Sequence, residues 1–204
     1  PSACEAGTYN NYTGASSAAD CQACLPGHYC AGSNNPYPTG KCRAGYYCTT
    51  GSPIPTQFES PPGYYSPTGS SAPLSCEPGT YNNEYARSSC FDCVAGRYSS
   101  NRSATSCTNC PRGYYCPEGT DVPNRCPIGR FGDSKKLVSE KQCTNCTAGY
   151  YCQYSGKTEP TGECEAGYYC TGGAAKRSCV WNDNATVAEK AALGDSSRSW
   201  YCPT

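Results

Sequence analysis

The sequence predicts a small disulfide-rich fold, an elongated tandem array of cysteine-rich modules with short β-ribbons and little helix. Three observations predict it. Twenty cysteines stand among 204 residues. Leu, Ile, Val and Phe together make up only about 7% of the chain. One six-residue phrase, Cys-x-x-Gly-x-Tyr/Phe, recurs along nearly the whole length.

Length alone would allow one or two globular domains, each with a buried core. The apolar content is far below what such burial needs, so covalent links must replace the missing core. A cross-link stabilises mainly by restricting the unfolded chain and needs little buried area. Closed loops of about 7 and about 18 residues are worth roughly 2.4 and 3.2 kcal/mol by loop-closure entropy. Such cysteine density implies an oxidising compartment, and hence an extracellular or cell-surface location.

Charge excludes other classes. Lys plus Arg equals Asp plus Glu at 16 each, without long runs of either sign, so there is no footprint for nucleic acid or an anionic membrane. No apolar stretch approaches the roughly 18 residues needed to span a bilayer. The chain contains no Met and no leader precedes Cys4, which predicts a processed product or part of a longer chain.

The phrase begins at Cys4, Cys24, Cys42, Cys76, Cys93, Cys110, Cys126, Cys146 and Cys164. A tenth copy, Ser60 to Ser66, keeps Gly63, Tyr64 and Tyr65 but has serine at both cysteine positions. Loss of the first and seventh cysteines together marks them as partners. The short copies therefore predict Cys24/Cys30, Cys42/Cys48, Cys110/Cys116, Cys146/Cys152 and Cys164/Cys170. Copies lacking a seventh-position cysteine each supply one later cysteine, which predicts Cys4/Cys21, Cys76/Cys90, Cys93/Cys107 and Cys126/Cys143. Cys179 and Cys202 remain and close the tail. Parity admits other connectivities, among them a scheme joining Cys30 to Cys42, which strands Cys24.

The repeat glycine is expected to take positive φ and let the chain reverse tightly. The aromatic residue two positions on then covers a bridge or the neighbouring unit, a role that suits 19 tyrosines. Two-stranded ribbons and turns follow from signals such as Pro26-Gly27, Pro78-Gly79 and Thr161-Gly162. One helix is predicted, opened by a capping box at Thr186 and Glu189 and stopped at Gly194. The domain reading is repeats over 1–48, a cysteine-poor Pro/Ser/Thr/Gly joint with a degenerate repeat over 49–75, repeats over 76–178, and a disulfide-closed tail with a short helix over 179–204.

Residues 76–110, beginning Cys76-Glu77-Pro78-Gly79-Thr80-Tyr81, resemble the ephrin-receptor-like and tumour-necrosis-factor-receptor-like cysteine-rich repeats. These are relatives of EGF-like modules, found in surface and filament proteins of protists and algae. The resemblance extends to about Cys170 and implies an elongated rod of small modules in receptors, adhesins or filamentous appendages. The Cys-x5-Cys units, the cysteine-free copy and the tail from Cys179 depart from the family pattern.

Four Cys-x-x-Cys pairs, Cys21/Cys24, Cys90/Cys93, Cys107/Cys110 and Cys143/Cys146, have the spacing of zinc ligands but sit within the Gly-Tyr repeat, where they read as junctions between bridges. No cofactor or metal site is predicted. His28 is the only histidine, at a position held elsewhere by Tyr46, Tyr114 and Tyr150, and reads as a filler residue. Without a second histidine or paired buried carboxylates there is no apparatus for acid-base or triad chemistry, and the chain is read as not an enzyme. Asn11, Asn101 and Asn184 lie in N-glycosylation sequons, Asn145 in a poorer one, and Thr49, Thr50, Ser52 and Thr56 beside prolines are O-glycan acceptors. The functional expectation is a glycosylated, disulfide-stapled rod in an extracellular filament, coat or flagellar-hair-like appendage, partnered by its own copies or by other extracellular proteins. The alternative is a ligand-binding ectodomain of a receptor or adhesin, with Arg130, Phe131 and Trp181 as its anchors.

Overall fold

The computed structural model describes residues 4–12, 17–166, 168 and 170–177. The predicted Thr186–Gly194 helix, the Cys179/Cys202 bridge, Asn184 and Trp181 lie outside these residues. The chain divides into two compact units, Pro1–Cys93 with Ser99–Cys107, and Val94–Tyr98 with Thr108–Thr204.

The first unit holds five antiparallel hairpins, each of two two-residue strands. They are β1 (Thr8–Tyr9) with β2 (Gln22–Ala23), β3 (His28–Tyr29) with β4 (Gly40–Lys41), β5 (Tyr46–Tyr47) with β6 (Phe58–Glu59), β7 (Tyr64–Tyr65) with β8 (Leu74–Ser75), and β9 (Thr80–Tyr81) with β10 (Phe91–Asp92). The second unit holds four: β11 (Arg97–Tyr98) with β12 (Thr108–Asn109), β13 (Tyr114–Tyr115) with β14 (Asn124–Arg125), β15 (Arg130–Phe131) with β16 (Thr144–Asn145), and β17 (Tyr150–Tyr151) with β18 (Gly162–Glu163). Among the described residues the only helix is two single 3-10 turns, Ala18–Asp20 and Glu140–Gln142. The architecture is a small disulfide-rich array of tandem hairpins.

Each outgoing strand is the Gly-x-Tyr arm of the repeat, and each return strand is the pair of residues just before the next copy begins. Where the preceding residue is also a cysteine, those two residues are the interior of a Cys-x-x-Cys pair. The spacing therefore has a structural cause: Gln22–Ala23, Phe91–Asp92, Thr108–Asn109 and Thr144–Asn145 are return strands, each between the end of one bridge and the start of another.

The reversal before each outgoing strand is a β-turn. Thr8 N–H donates to the Glu5 carbonyl at 3.0 Å and Tyr46 N–H to the Arg43 carbonyl at 3.0 Å, with Gly7 and Gly45 each at φ +88. A turn that needs positive φ at its third residue selects glycine there. Gly45 is held by space as well, because a Cβ on it would lie 2.1 Å from the Ala86 carbonyl oxygen.

Nine disulfides form among the described residues: Cys4–Cys21, Cys24–Cys30, Cys42–Cys48, Cys76–Cys90, Cys93–Cys107, Cys110–Cys116, Cys126–Cys143, Cys146–Cys152 and Cys164–Cys170. They join consecutive cysteines, the pattern argued from the paired loss at Ser60 and Ser66, and leave no described cysteine free. Twelve of the half-cystines expose nothing or almost nothing, including Cys24, Cys30, Cys76, Cys126 and Cys152. Sulfur therefore occupies the interior that aliphatic side chains fill in an ordinary domain.

The cysteine-poor segment 49–75 carries β6, β7 and β8 on the same pattern as its neighbours and lies wholly inside the first compact unit. Its Ser52, Ser60 and Ser66 are fully buried. The backbone bonds that organise a repeat do not depend on the cysteines, so replacing both sulfurs leaves the hairpin in place.

Candidate functional site

The recurrent residues converge on the surface between one repeat and the next. In the first unit Cys24 N–H donates to the Gly7 carbonyl and Gly7 N–H to the Cys30 carbonyl, both at 2.8 Å. Ser60 N–H likewise donates to the Gly45 carbonyl at 3.0 Å, and Gly45 N–H to the Ser66 carbonyl at 2.7 Å. In the second unit Cys126 N–H bonds the Gly113 carbonyl at 2.9 Å and Gly113 N–H the Gly132 carbonyl at 2.9 Å. The glycine of one copy thus exchanges two backbone bonds with the first and seventh positions of the copy that follows.

A third bond comes from a second residue at positive φ. Gly51 N–H reaches the Cys24 carbonyl at 2.8 Å, and Ala86, Ser103 and Lys136 do the same to Ser60, Cys76 and Cys110 at 2.9 Å. Ala86 at φ 57, Ser103 at φ 55 and Lys136 at φ 66 take a conformation unusual for non-glycine residues. A residue type common to these positions does not exist, which is why the repeat phrase alone leaves this turn undetected.

Tyrosine completes the contact. Tyr9 is buried against Cys24 and Cys30, Tyr115 packs on Cys126, Leu137 and Cys143, and Tyr151 on Cys170 and Ala174. In each case the ring of one copy covers the bridge of the next. Where the facing return strand has glycine, the ring lies on it: Tyr29 Cε1 is 3.2 Å from the position of a Cβ on Gly40, and Tyr151 Cε1 is 3.4 Å from that on Gly162. In two hairpins the facing residue is itself aromatic, Phe58 across from Tyr47 and Phe91 across from Tyr81, and Tyr47 stacks on Phe58 with centroids 5.3 Å apart.

The buried Asn82, Ser52, Ser60 and Ser66 side chains at this surface are hydrogen-bonded. Asn82, at a seventh position, donates through Nδ2 to the Tyr64 and Glu84 carbonyls at 2.6 and 2.9 Å and accepts the Glu84 N–H at 3.0 Å. Ser52 Oγ donates to the Thr49 carbonyl at 2.8 Å and also meets Gln57 Oε1. Ser60 Oγ donates to Ser66 Oγ at 2.6 Å.

Except for Thr8, which faces Ala23, the residue before the aromatic of the phrase faces a polar or charged partner on the return strand. His28 stands across from Lys41, Tyr46 from Glu59, Tyr114 from Arg125 and Tyr150 from Glu163. Tyr150 Oη donates to Glu163 Oε1 at 3.2 Å. His28 is half-buried, and its Nδ1 is enclosed without a hydrogen-bond partner. Arg130 Nη1 donates to the Glu140 carbonyl at 3.3 Å, and both Arg130 and Phe131 are half-buried in β15. An aromatic and cationic cluster that the repeat phrase does not signal lies on the fifth copy: the Arg87 guanidinium sits 4.1 Å over the Phe91 ring, which faces Tyr81 at 5.7 Å.

The glycan acceptors differ in access. Asn11, Asn101 and Asn145 are exposed, as are Thr49 and Thr50, whereas Thr56 is half-buried. Ser52 is fully buried and hydrogen-bonded, so in the folded chain it presents no hydroxyl to a transferase.

Among the described residues no three His, Cys, Asp or Glu side chains gather as a metal site, and no helix is long and apolar enough to cross a membrane. The fold and this interface define a disulfide-rich protein of tandem cysteine-rich repeats, and its bridges mark an extracellular or secreted setting. No protein-family model matches the chain, and no curated protein matches it by sequence.

Proposed function

We propose that this chain is a non-catalytic structural component of an extracellular assembly, a filament, coat or flagellar-hair-like appendage built from glycosylated, disulfide-stapled repeats. One observation carries the reading. The residues that recur, cysteine, glycine and tyrosine, are engaged in joining each copy to the next, while the positions left for outside contact vary from copy to copy. A chain selected to propagate a contact rather than to build a pocket suits heterologous, open-ended association. Resemblance to ephrin-receptor-like and tumour-necrosis-factor-receptor-like repeats agrees with a surface role. Electron microscopy of the native surface, with antibody-linked gold against this chain, is expected to decorate filaments or a continuous coat. Label found only on isolated monomers would overturn the proposal.

The second reading, a receptor or adhesin ectodomain, draws on Arg87, Phe91 and Tyr81, because binding energy concentrates in such aromatic and Arg anchors. Capture of a soluble extracellular protein that is lost with Arg87→Ala and Phe91→Ala, without assembly of the chain, would favour it.

A further inference from the structure

We infer that the fourth repeat, Ser60 to Ser66 with its flanks, is an extensible link, the place where a pull on the oxidised chain is first converted into length. The inference is independent of which assembly the chain joins.

Disulfides divide the chain into stretches that tension can and cannot lengthen. A bridge carries the force across its loop, so the residues inside the loop stay slack. Only residues between one bridge and the next lie on the load path. Most such stretches are short: the pair inside each Cys-x-x-Cys, then Pro117–Arg125, Ala31–Lys41 and Gln153–Glu163. Between Cys48 and Cys76 the stretch takes in all of 49–75, more than twice the length of any other among the described residues.

That stretch is folded, and everything that folds it is non-covalent. Ser60 and Ser66 share one hydroxyl hydrogen bond at 2.6 Å where other copies carry a sulfur bridge. Gly63 N–H holds the Asn82 carbonyl at 2.8 Å, Ser66 N–H the Arg87 carbonyl at 2.9 Å, and Asn82 Nδ2 the Tyr64 carbonyl at 2.6 Å. The two backbone bonds recur in other copies, as Gly7 N–H to the Cys30 carbonyl and Cys30 N–H to the Ser52 carbonyl, and the two side-chain bonds belong to this copy; none of the four is covalent, so the fourth repeat lacks its neighbours' staple.

Length then decides the order of opening. The work done by a force is its product with the extension gained, so at equal contact strength the stretch that gains most is tilted most towards the open form. At roughly 3.3–3.6 Å per residue, Cys48 to Cys76 opens to a span of at most about 100 Å, whereas Ala31–Lys41 and Gln153–Glu163 with their flanking cysteines reach about 40 Å. The link lengthens without breaking a covalent bond and without a reductant, and it recloses because its two ends stay tied to bridged repeats.

Optical-tweezer stretching of the full oxidised chain, held at Gln22 and Thr171 so that the load runs only through bridges of the described residues, tests this. The lowest-force step is expected to be the longest, clearly beyond the reach of Ala31–Lys41 or Gln153–Glu163, and to recover on relaxation. Ser60→Cys with Ser66→Cys, oxidised, is expected to raise the force of that step. It should also divide that step into two, neither longer than the Ala31–Lys41 stretch allows, and shorten their sum by about 15 Å, because a bridge holds Cα atoms that otherwise separate by six residues to about 5.5–6 Å. In the unsubstituted chain, a lowest-force step no longer than those two shorter stretches allow would overturn the inference. So would a step whose length the two cysteines leave unchanged.

Discussion

Ser60 Oγ and Ser66 Oγ lie 2.6 Å apart with neither side chain exposed, a hydrogen bond standing where the other short copies of the repeat have a disulfide. The pair makes an ordered prediction. Ser60→Ala alone strands the Ser66 hydroxyl in a closed space and is expected to cost about 1–3 kcal/mol. The double change Ser60→Ala with Ser66→Ala leaves no orphan and is expected to cost less than the single one. Ser60→Cys with Ser66→Cys is expected to close a bridge and add up to roughly 2.4 kcal/mol. Amide exchange at Gly63 and Ser66 measures local opening, which suits a repeat chain better than one global transition. Equal protection in all three variants would show that the pair does not hold the repeat.

Gly45 and Gly32 separate two demands that glycine can meet. Both have positive φ, at 88 and 69, but a Cβ on Gly45 would collide with the Ala86 carbonyl, whereas one on Gly32 meets nothing within 4 Å. Gly32→Ala is expected to cost only the backbone strain, about 1–2 kcal/mol. Gly45→Ala adds a displaced neighbouring repeat and is expected to cost about 4 kcal/mol or more. Urea unfolding of oxidised protein compares them, and equal losses would mean that inter-repeat approach contributes nothing.

Much of this was legible because the signal is local. Cys-x-x-Gly-x-Tyr encodes a turn, an outgoing strand and a half-cystine within six residues, and the joint loss of sulfur at Ser60 and Ser66 exposes the pairing. The second positive-φ turn was not legible, because a backbone bond to the first-position carbonyl holds it and residues as different as Gly51, Ala86, Ser103 and Lys136 fill it. The hairpins of segment 49–75 were not legible for the same reason. Its order comes from N–H and C=O groups, which every residue carries, rather than from the missing sulfur. The Arg87–Phe91 contact was equally hidden, since a residue in an irregular loop has no fixed geometry in sequence relative to a return strand four residues on.

Tyr9 tests whether the rings protect the bridges they cover. Buried against Cys24 and Cys30, it is replaced most severely by alanine, and Tyr9→Ala is expected to cost about 2–4 kcal/mol. Tyr9→Phe keeps the ring and is expected to change stability by less than about 0.5 kcal/mol. Timed alkylation under mild thiol reductant is expected to find Cys24 and Cys30 labelled sooner in Tyr9→Ala than in Tyr9→Phe or the parent. Equal labelling in all three would assign the protection to the backbone.

Asn101 and Ser103 place two requirements on one short turn. The Ser103 backbone N–H holds the Cys76 carbonyl at 2.9 Å, and its own carbonyl lies where a Cβ on Gly63 would be 2.5 Å away, so the main chain serves the fold. Its hydroxyl serves only the Asn-Arg-Ser sequon, whose Asn101 is exposed. Ser103→Ala keeps an L-residue in the same backbone conformation. In a secretory host it is therefore expected to lose one glycan while unfolding within about 0.5 kcal/mol of the parent. Arg102 in the same turn pairs with Glu77 at 2.7 Å, but both side chains are more than half exposed, so Glu77→Gln is expected to shift stability by less than about 0.5 kcal/mol. Intact mass before and after glycosidase reads the first outcome and urea unfolding the second. A parent chain without sugar at Asn101, or a Ser103→Ala chain that unfolds far more easily, would show that the turn is not divided between fold and modification in this way.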